Sequence, residues 1–327
     1  MLSDRIKQKA RELDYVSCGI IPSAAFYEFE KYLNERAETY PESKHFYAPF
    51  REFTNPPGEG KSLIVCVRSQ TRYKIPESLR GRIGRNYLFD DRIPYSPDYR
   101  RRAEFENWMS VNGLNIIKYT PPSRWAAAKA GVAKFGRNNF SYDEAHGSYI
   151  KIQAWLVDRK LDYDEPSGDI YLSGCGEGCE KCVKACPTGA LSRGFSMDMA
   201  VCVTRLSTYA EEGPDENVRR QMSCWIYGCD ACQDACPYNK NEIVANEEYP
   251  LLREYEEILR LENIAEMDER TYSRVILPRF GYAGKDGLWH WQYNALRAMI
   301  NSGDEKYRTI IEKFRGHPDA RIRGICL

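Results

Sequence analysis

CDACQDACP, residues 229–237, repeats the end of CGEGCEKCVKACP, residues 175–187, cysteine for cysteine and proline for proline. We call these stretches the second comb and the first comb. Both contain the spacing C-x2-C-x3-C-P, and the first comb carries one further cysteine at its start. With the cysteine that lies between them, the combs offer eight thiols: Cys175, Cys179, Cys182, Cys186, Cys202, Cys229, Cys232 and Cys236.

This spacing is typical of proteins that hold two iron–sulfur clusters, in which the thiolate before the proline binds the cluster of the other comb. Eight thiolates suffice for two 4Fe–4S clusters. Structural zinc is the first alternative, but zinc sites use separated cysteine pairs that fill one four-ligand site. Such a site gives no reason for the comb to occur twice. The sequence therefore predicts two 4Fe–4S clusters and a role in electron transfer.

Disulfides are the second alternative, and they would imply an oxidising compartment. The chain starts MLSDRIKQKARELD, which is polar and amphipathic and lacks the apolar core of a secretory signal. No apolar run approaches the roughly 20 residues of a membrane helix. We therefore expect a cytoplasmic protein without membrane contact, which we take to be a monomer.

Three further cysteines need a separate interpretation. Cys224 lies close to the second comb and competes with Cys202 as the eighth ligand. Cys18 and Cys66 lie in apolar, strand-like runs and are expected to be ordinary buried thiols.

Length and composition place the combs within a larger molecule. The 327 residues suggest two or three domains, and 43% hydrophobic residues are enough for a sizeable core. The 47 basic and 47 acidic residues balance, so no global field favours nucleic acid. Residues 72–102 are locally basic, with nine Lys or Arg against four Asp or Glu. This stretch is either a solvated basic loop or a rim that attracts an anionic substrate or cofactor phosphate.

Hydrophobic periodicity divides the chain into three predicted domains. Residues 1–165 alternate strands with helices, including strands at 62–69 and 148–158 and helices at 96–113 and 123–136. This alternation predicts an α/β domain. Residues 166–245 contain the combs, and residues 246–327 are predicted to be helical, with a hairpin over 288–316 and a third helix at the end. The overall fold class is α+β.

With the cysteines placed, the chain resembles the epoxyqueuosine reductase family, which are cobalamin-dependent iron–sulfur enzymes that complete the tRNA base queuosine. YGCDACQDACPYN (227–239) is similar to the second comb of that family almost residue for residue, and CEKCVKACPTGAL (179–191) is similar to its first comb. Cys175 stands three residues before Cys179, where the family usually has two. Reductive dehalogenases are a more distant corrinoid and iron–sulfur family.

The resemblance implies how the thiols divide between the clusters. One cluster would be held by Cys175, Cys179, Cys182 and Cys236, and the other by Cys186, Cys202, Cys229 and Cys232. Cys202 lies in VCVTRLST, which is similar to a family segment C-I-S-Y-L-T and favours Cys202 over Cys224. The cluster that contains Cys202 is then the one expected beside the corrinoid.

Upstream segments also resemble the family. KAGVAKFGRNN (129–139) is similar to a family turn A-G-x-G-W-x-G-K-N, and HGSYIKIQAWLVD (146–158) is similar to the strand that follows it. The resemblance implies a nitroreductase-like α/β domain that binds cobalamin base-off, with Tyr87, Asn138 and Ser148 as contacts of the corrin or its amide side chains. It also implies that the terminal helices form a short HEAT-like region.

One position departs from the family pattern. The family has an aspartate proton donor just before the alanine-rich helix, and Tyr119 stands at that position here. A free phenol, with a pKa near ~10, is a much weaker acid than a carboxylic acid near ~3.9. Tyr119 is therefore either a catalytic acid for a different leaving group, as in the dehalogenases, or a passive wall residue of a divergent paralogue.

The resemblance implies a reductase that passes electrons from an external ferredoxin- or flavodoxin-type donor through two clusters to a base-off corrinoid, which reduces a small or tRNA-borne substrate. Residues 251–327 hold 13 basic and 12 acidic residues, so they offer no strong electrostatic footprint for tRNA. Two alternatives remain: an electron-transfer or corrinoid-handling protein without its own substrate, and a cytosolic enzyme like the reductive dehalogenases.

Overall fold

A four-stranded antiparallel sheet lies at the centre of the N-terminal region. The computed structural model describes residues 1–165, 168–175, 178–209, 214–239, 247–249 and 252–327. The strands are β1 (Ser17–Pro22), β2 (Ser62–Ser69), β3 (Ile116–Ile117), β4 (Lys134–Phe135), β5 (Ser141–Tyr142) and β6 (Ile150–Val157). The central sheet has the strand order β1-β2-β6-β3, and a separate two-stranded sheet pairs β4 with β5.

Helices cover both faces of this sheet, which explains why every residue of β2 is buried. The helices of this region are α1 (Leu2–Glu12), α2 (Tyr27–Thr39), α3 (Lys44–Tyr47), α4 (Arg85–Leu88), α5 (Pro97–Val111) and α6 (Ser123–Lys129). Successive strand residues point to opposite faces. Ile64 and Cys66 therefore pack towards α1 and α5, while Leu63 and Val65 pack towards the alanine-rich helix α6.

The sheet differs from the sequence expectation in its topology. The predicted strands 62–69 and 148–158 are present as β2 and β6, and the predicted helix 96–113 is present as α5. All pairings are antiparallel, however, so the region is α+β and not a parallel α/β layer. Hydrophobic alternation identifies strands but does not say which strands are neighbours, and that choice sets the topology.

The helix predicted over 123–136 is also shorter than expected. It ends at Lys129 because Gly131 adopts a left-handed backbone conformation, with φ of 68°. The Gly131 N–H donates to the Ala128 carbonyl and the Val132 N–H donates to the Ala127 carbonyl. This pair of bonds is a Schellman motif, which terminates a helix and satisfies its last carbonyls. The residues after it are thereby free to form β4.

Four short helices carry or flank the combs. They are α7 (Lys181–Lys184), α8 (Val203–Tyr209), α9 (Glu216–Gln221) and α10 (Ala231–Asp234). Helices α7 and α10 belong to the first and second comb and pack against each other.

The C-terminal region is helical, as predicted, and its helices are α11 (Leu252–Tyr255), α12 (Leu261–Ala265), α13 (Glu269–Thr271), α14 (Leu288–Ser302), α15 (Arg308–Phe314) and α16 (Ala320–Ile325). Its core is centred on α14 and also includes Ile83, Leu88 and Phe89 from the N-terminal region. Among the described residues, no helix combines the length and apolar character that crossing a bilayer requires.

Candidate metal centre

The two combs fold in the same way. The middle cysteine of each C-x2-C-x3-C spacing, Cys182 or Cys232, lies on the short helix α7 or α10. The last cysteine, Cys186 or Cys236, lies two residues beyond that helix. The proline that follows cannot continue a helix. Identical spacing therefore produces two similar loops, as the repeated sequence predicts.

The packing of α7 against α10 brings the thiols together in two sets. The last cysteine of each comb belongs to the set that is formed mainly by the other comb. We call Cys175, Cys179, Cys182 and Cys236 the first thiol set, and Cys186, Cys202, Cys229 and Cys232 the second thiol set. Within the first set, Cys175 interacts electrostatically with the thiols of Cys179 and Cys236, and also with that of Cys182. Within the second set, the Cys232 thiol interacts with the other three. The division is the one that the resemblance implied, and that each set ligates a cluster stays a prediction.

The geometry of these sets differs from that of a single-ion site. All twelve cysteines are free thiols. Among the described residues, no three His, Cys, Asp or Glu side chains are arranged to hold one metal ion. In a 4Fe–4S cluster the four thiolates bind through different irons, so their sulfurs need not converge on one point. The observed sets are compatible with that wider arrangement.

Backbone amides are directed at the sulfurs of the second thiol set. The N–H groups of Thr204 and Arg205, in the first turn of α8, hydrogen-bond the Cys202 sulfur, and the Ala231 N–H hydrogen-bonds Cys229. Burial raises the pKa of both thiols, and these hydrogen bonds oppose the rise because they favour the thiolate. Hydrogen bonds to sulfur are also one of the factors that set cluster potentials.

Cys224 lies away from both sets. Its side chain packs against the core of the C-terminal region, and its sulfur donates to the Ala298 carbonyl of α14 at 3.7 Å. Cys202, in contrast, faces the same cavity as Cys186, Cys229 and Cys232. The placement therefore favours Cys202 as the eighth ligand.

That cavity has a volume of about 400 Å³, within the range of about 300–1,000 Å³ that ligand sites occupy. The second thiol set lines it together with Met197 and Met199. Residues from the N-terminal region and from the segment before α14 also contribute to the lining: Asn86, Tyr87, Arg124, Asn138, Asn139, Phe140 and Tyr282. The cavity therefore joins the second thiol set to three separate parts of the chain.

Two of the three predicted cofactor contacts line this cavity. Tyr87 packs its ring edge-on against Tyr227 at 5.0 Å, beside Gly228. Asn138 donates from Nδ2 to the Tyr142 hydroxyl at 2.9 Å and to the Cys232 carbonyl at 3.3 Å. Asn138 thus ties the loop after β4 to the second comb.

Ser148, the third predicted contact, is not among the residues that line this cavity. It is buried, its hydroxyl donates to Gln233 Oε1 at 2.9 Å, and it accepts from Asn239 Nδ2 at 2.8 Å. Its backbone N–H donates to Asn239 Oδ1 at 2.7 Å. These bonds fasten the segment before β6 to the second comb, and that Ser148 also contacts a bound cofactor stays a prediction.

Tyr119 is also outside the lining. Its hydroxyl donates to the Phe53 carbonyl at 2.5 Å, and its ring packs with the core between α6 and the sheet. Burial raises its pKa to about 12, so the phenol is a weaker acid here than in water. Of the two interpretations of Tyr119, this placement favours the passive wall residue.

Sequence reasoning missed several residues of the lining, among them Asn139 and Arg124. Asn139 has a left-handed backbone with φ of 65°, and its buried Nδ2 has no hydrogen-bond acceptor among the described residues. Arg124 donates from Nη1 to the Asn139 carbonyl. Asparagine tolerates this conformation better than most residues, so the pair Asn138-Asn139 was a usable signal of a tight turn.

Asn86 and Tyr87 line the cavity, but none of the basic side chains of the stretch 72–102 is among its lining residues. Arg85 is buried and donates from Nη1 to the carbonyls of Gln70 and Tyr73, each at 3.1 Å. The other arginines of this stretch that form ion pairs are bound to carboxylates of this protein. Their partners are Asp14, Glu77, Asp90, Asp91, Asp98, Glu106 and Glu247. Most of the positive charge of this stretch is therefore internally neutralised.

Comparison with known proteins agrees with this geometry. Residues 174–239 match the family described as a 4Fe-4S double cluster binding domain. The chain is 33% identical over 167 residues to an epoxyqueuosine reductase of Cyclobacterium marinum, a match that spans 48% of this chain and 53% of that protein. It is 27% identical over 308 residues to the enzyme of Cellulophaga algicola, covering 86% of this chain and 95% of that protein.

The fold has a close counterpart among solved structures. A crystal structure of epoxyqueuosine reductase with an epoxyqueuosine-modified tyrosine tRNA stem loop superposes with a TM-score of 0.79. The match covers 99% of this chain and 88% of that chain at 22% identity. The chain therefore has the fold of the epoxyqueuosine reductases and resembles them in sequence.

Proposed function

We propose that this protein is a cobalamin-dependent iron–sulfur reductase similar to epoxyqueuosine reductase. One observation carries the proposal: a cavity of ligand size is lined on one side by all four thiols of the second thiol set. A cofactor in this cavity would lie directly beside the cluster that those thiols hold. The first thiol set would hold the second cluster, which is the one that receives electrons from an external ferredoxin- or flavodoxin-type donor.

The residues of the cavity fit a corrinoid. A corrin carries neutral amide side chains, which need both donors and acceptors. The lining offers Asn86, Asn138 and Asn139, and the buried Nδ2 of Asn139 lacks an acceptor that such a ligand would supply. Arg124 adds a cationic donor. When bound, the corrinoid would supply the two-electron reduction of the substrate, with the clusters as its source of electrons.

The chain's own residues would hold this machinery in place. Asn138 and Ser148 fasten the second comb to the N-terminal region through Cys232, Gln233 and Asn239. Amide N–H groups at Cys202 and Cys229 would stabilise the thiolates. In this proposal residues 1–165 form a nitroreductase-like cobalamin domain, residues 166–245 the cluster domain, and residues 246–327 a HEAT-like region of a monomeric, cytoplasmic protein.

Epoxyqueuosine in tRNA is the first substrate to test. A relative with the same fold has been crystallised with a tRNA stem loop that carries this base, and the match covers 88% of its chain. The near-balance of charge in residues 251–327 means that binding would depend on surfaces nearer the cavity.

The experiment is turnover of an epoxyqueuosine-modified stem loop by anaerobically purified protein, with added cobalamin and a chemical reductant. We expect queuosine to form only when cobalamin is present. A matched protein with Cys232→Ala should not turn over. Full activity without cobalamin would overturn the proposed cofactor, and cobalamin uptake without queuosine would overturn the substrate.

A second candidate is an electron-transfer or corrinoid-handling protein without its own substrate. It is favoured by the character of the cavity lining, which has no carboxylate among the described residues. An epoxide oxygen must be protonated as it leaves, and carboxylic acids are suited to that task near neutral pH. Reduction of a partner's corrinoid in the absence of any turnover on modified tRNA would support this candidate.

A further inference from the structure

A second cavity lies on the other side of Tyr32 from the one that the second thiol set lines. Its volume is about 260 Å³, and it is bounded by α2 and by the segment after the first comb. The Tyr32 hydroxyl donates to Asn139 Oδ1 at 2.6 Å, so this phenol separates the two spaces. The lining contains two arginines and three aromatic rings: Arg36, Arg193, Tyr32, Tyr171 and Phe195.

Arg36 is the unusual member of this lining. Only 6% of the residue is exposed, yet its buried Nε and Nη2 have no hydrogen-bond partner among the described residues. Its guanidinium stacks on the Tyr32 ring at 4.0 Å and forms no ion pair within the described part of the chain. A buried cation without a counter-charge is costly, because burial removes its hydration and nothing replaces it.

The groups around Arg36 include a second cation but no carboxylate that would compensate its charge. The groups that act on it are the phenols of Tyr32, Tyr40 and Tyr47 and the second cation Arg124. Burial, the largest effect, lowers the pKa of Arg36. Glu35 also borders the cavity, but its carboxylate is largely exposed and is 3.9 Å from the ammonium of Lys31. The cavity thus lacks an anion that its arginine could bind.

We propose that this cavity binds a small molecule that carries an oxyanion group, a phosphate or a carboxylate, beside a flat ring. Arg36 would turn its guanidinium towards the oxyanion, because Nε and Nη2 are closed to solvent in the unliganded protein and form the fork that matches two anionic oxygens. Arg193, at the exposed edge, would add a second cation. The rings of Tyr171 and Phe195, whose centroids are 4.8 Å apart, would contact the ring of the ligand.

The position of the cavity gives the ligand a route to influence electron transfer. Phe195 packs against the apolar cluster that contains Cys175 and Cys236 of the first thiol set. The Phe195 N–H also donates to the Arg137 carbonyl at 2.7 Å, and the Arg137 backbone hydrogen-bonds Cys175. An occupant would therefore rest on the residues that surround the first thiol set.

The test is calorimetric titration of anaerobically purified, iron-loaded protein with phenyl phosphate, inorganic phosphate and benzoate, in a phosphate-free buffer of low ionic strength. We expect saturable binding of one phenyl phosphate per chain, at least threefold tighter than inorganic phosphate because of the ring contacts. Comparison with benzoate distinguishes phosphate from carboxylate as the preferred anion. Equal affinity for phenyl phosphate and inorganic phosphate would overturn the role of the rings.

Three variants locate the site. Arg36→Gln should weaken phenyl phosphate binding at least tenfold, and Arg193→Gln at least threefold. Arg308→Gln, an exposed arginine on α15 that pairs with Glu305 and Glu312, controls for the loss of one charge and should bind as the wild type does. Absence of saturable binding by all three probes would overturn the proposal. If Arg36→Gln does not retain iron, unchanged affinity in Arg193→Gln is sufficient to overturn it.

Discussion

At the scale of single residues, the sulfurs of Cys202 and Cys224 lie in different environments. The Cys202 sulfur accepts two backbone N–H groups and faces the cavity, whereas the Cys224 sulfur is turned into the packing of α14. We expect Cys202→Ala to lose about four of about eight irons, because a 4Fe–4S cluster needs its fourth thiolate. Iron and acid-labile sulfide analysis checks this.

Cys224→Ala is the matched control for that change. It removes a thiol of the same segment without touching the second thiol set, so iron content should stay near the wild-type value. Loss of iron in Cys224→Ala with retention in Cys202→Ala would reverse the assignment.

Tyr119→Phe tests the predicted proton donor. The hydroxyl is bonded to the Phe53 carbonyl and lies outside the cavity lining, so turnover on modified tRNA should stay within about twofold of wild type. The free energy of unfolding should fall by about 1 kcal/mol, because one hydrogen bond is lost and a carbonyl is left without its donor. Chemical denaturation and a turnover assay measure the two effects. Abolished turnover with intact cofactor spectra would restore Tyr119 as the acid.

At the scale of elements, α14 connects the segments that carry Cys202 and Cys229. The Arg297 guanidinium, which is fully buried, donates to the Ser223 carbonyl at 2.8 Å and to the Trp225 carbonyl. Asn294 Nδ2 donates to the Ser207 carbonyl at the end of α8 at 3.2 Å. Helix α14, which is distant from these segments in sequence, therefore holds in place the two segments that carry Cys202 and Cys229.

Arg297→Met tests whether this connection stabilises the protein and its second thiol set. The substitution roughly keeps the volume but leaves the buried Trp225 carbonyl without its side-chain donor, while the Ser223 carbonyl keeps the Asn301 amide, so we expect a loss of about 1–3 kcal/mol in the free energy of unfolding. Iron should be lost preferentially from the second thiol set. Arg308→Met, at an exposed position, is the control. Equal stability and iron content in both variants would show that α14 does not support the site.

His290 on α14 makes the same connection sensitive to pH. Its Nε2–H donates to the Leu206 carbonyl at 3.2 Å, and burial lowers its pKa to about 4 from 6.5. The unfolded chain therefore binds a proton between these values that the folded chain does not, so stability falls as pH falls below 6.5. Between pH 7 and pH 5 the loss should be about 2 kcal/mol from this group alone.

Denaturation curves at several pH values check this dependence. His290→Gln keeps a donor for the Leu206 carbonyl but does not titrate, so its loss of stability between pH 7 and pH 5 should be smaller by that amount. His317→Gln, near the start of α16, should behave as the wild type does. Identical pH profiles for wild type and His290→Gln would contradict the buried neutral state.

At the scale of the whole molecule, features that depend on residues close in sequence can be predicted from the sequence. Features that depend on partners distant in sequence cannot. The combs were predictable because their spacing is local, and the exchange of Cys186 and Cys236 between thiol sets agrees with the resemblance. The end of α6 was placed too late, at residue 136, although Gly131 is a local signal that a helix ends. The roles of Ser148 and Tyr119 were not predictable, since each depends on a partner distant in sequence, namely Asn239 for one and Phe53 for the other.

The same reasoning explains the remaining differences. The antiparallel order of the sheet depends on which strands meet, and no single segment encodes that choice. The cavity beside the second thiol set needs α8, α10, the loop after β4 and the segment before α14 at once. The sequence did not single out Arg36, because only the folded chain shows that its guanidinium is buried and that two of its nitrogens have no hydrogen-bond partner among the described residues.

The most direct measurement is electron paramagnetic resonance of anaerobically purified protein with added cob(II)alamin, before and after partial reduction, together with an iron count. We predict about eight irons per chain and a base-off cobalt signal that broadens when the adjacent cluster of the second thiol set is reduced. Cys202→Ala should keep about four irons and lose the broadening. Eight irons with a cobalt signal identical to that of free cobalamin would contradict the placement of the corrinoid beside the second thiol set.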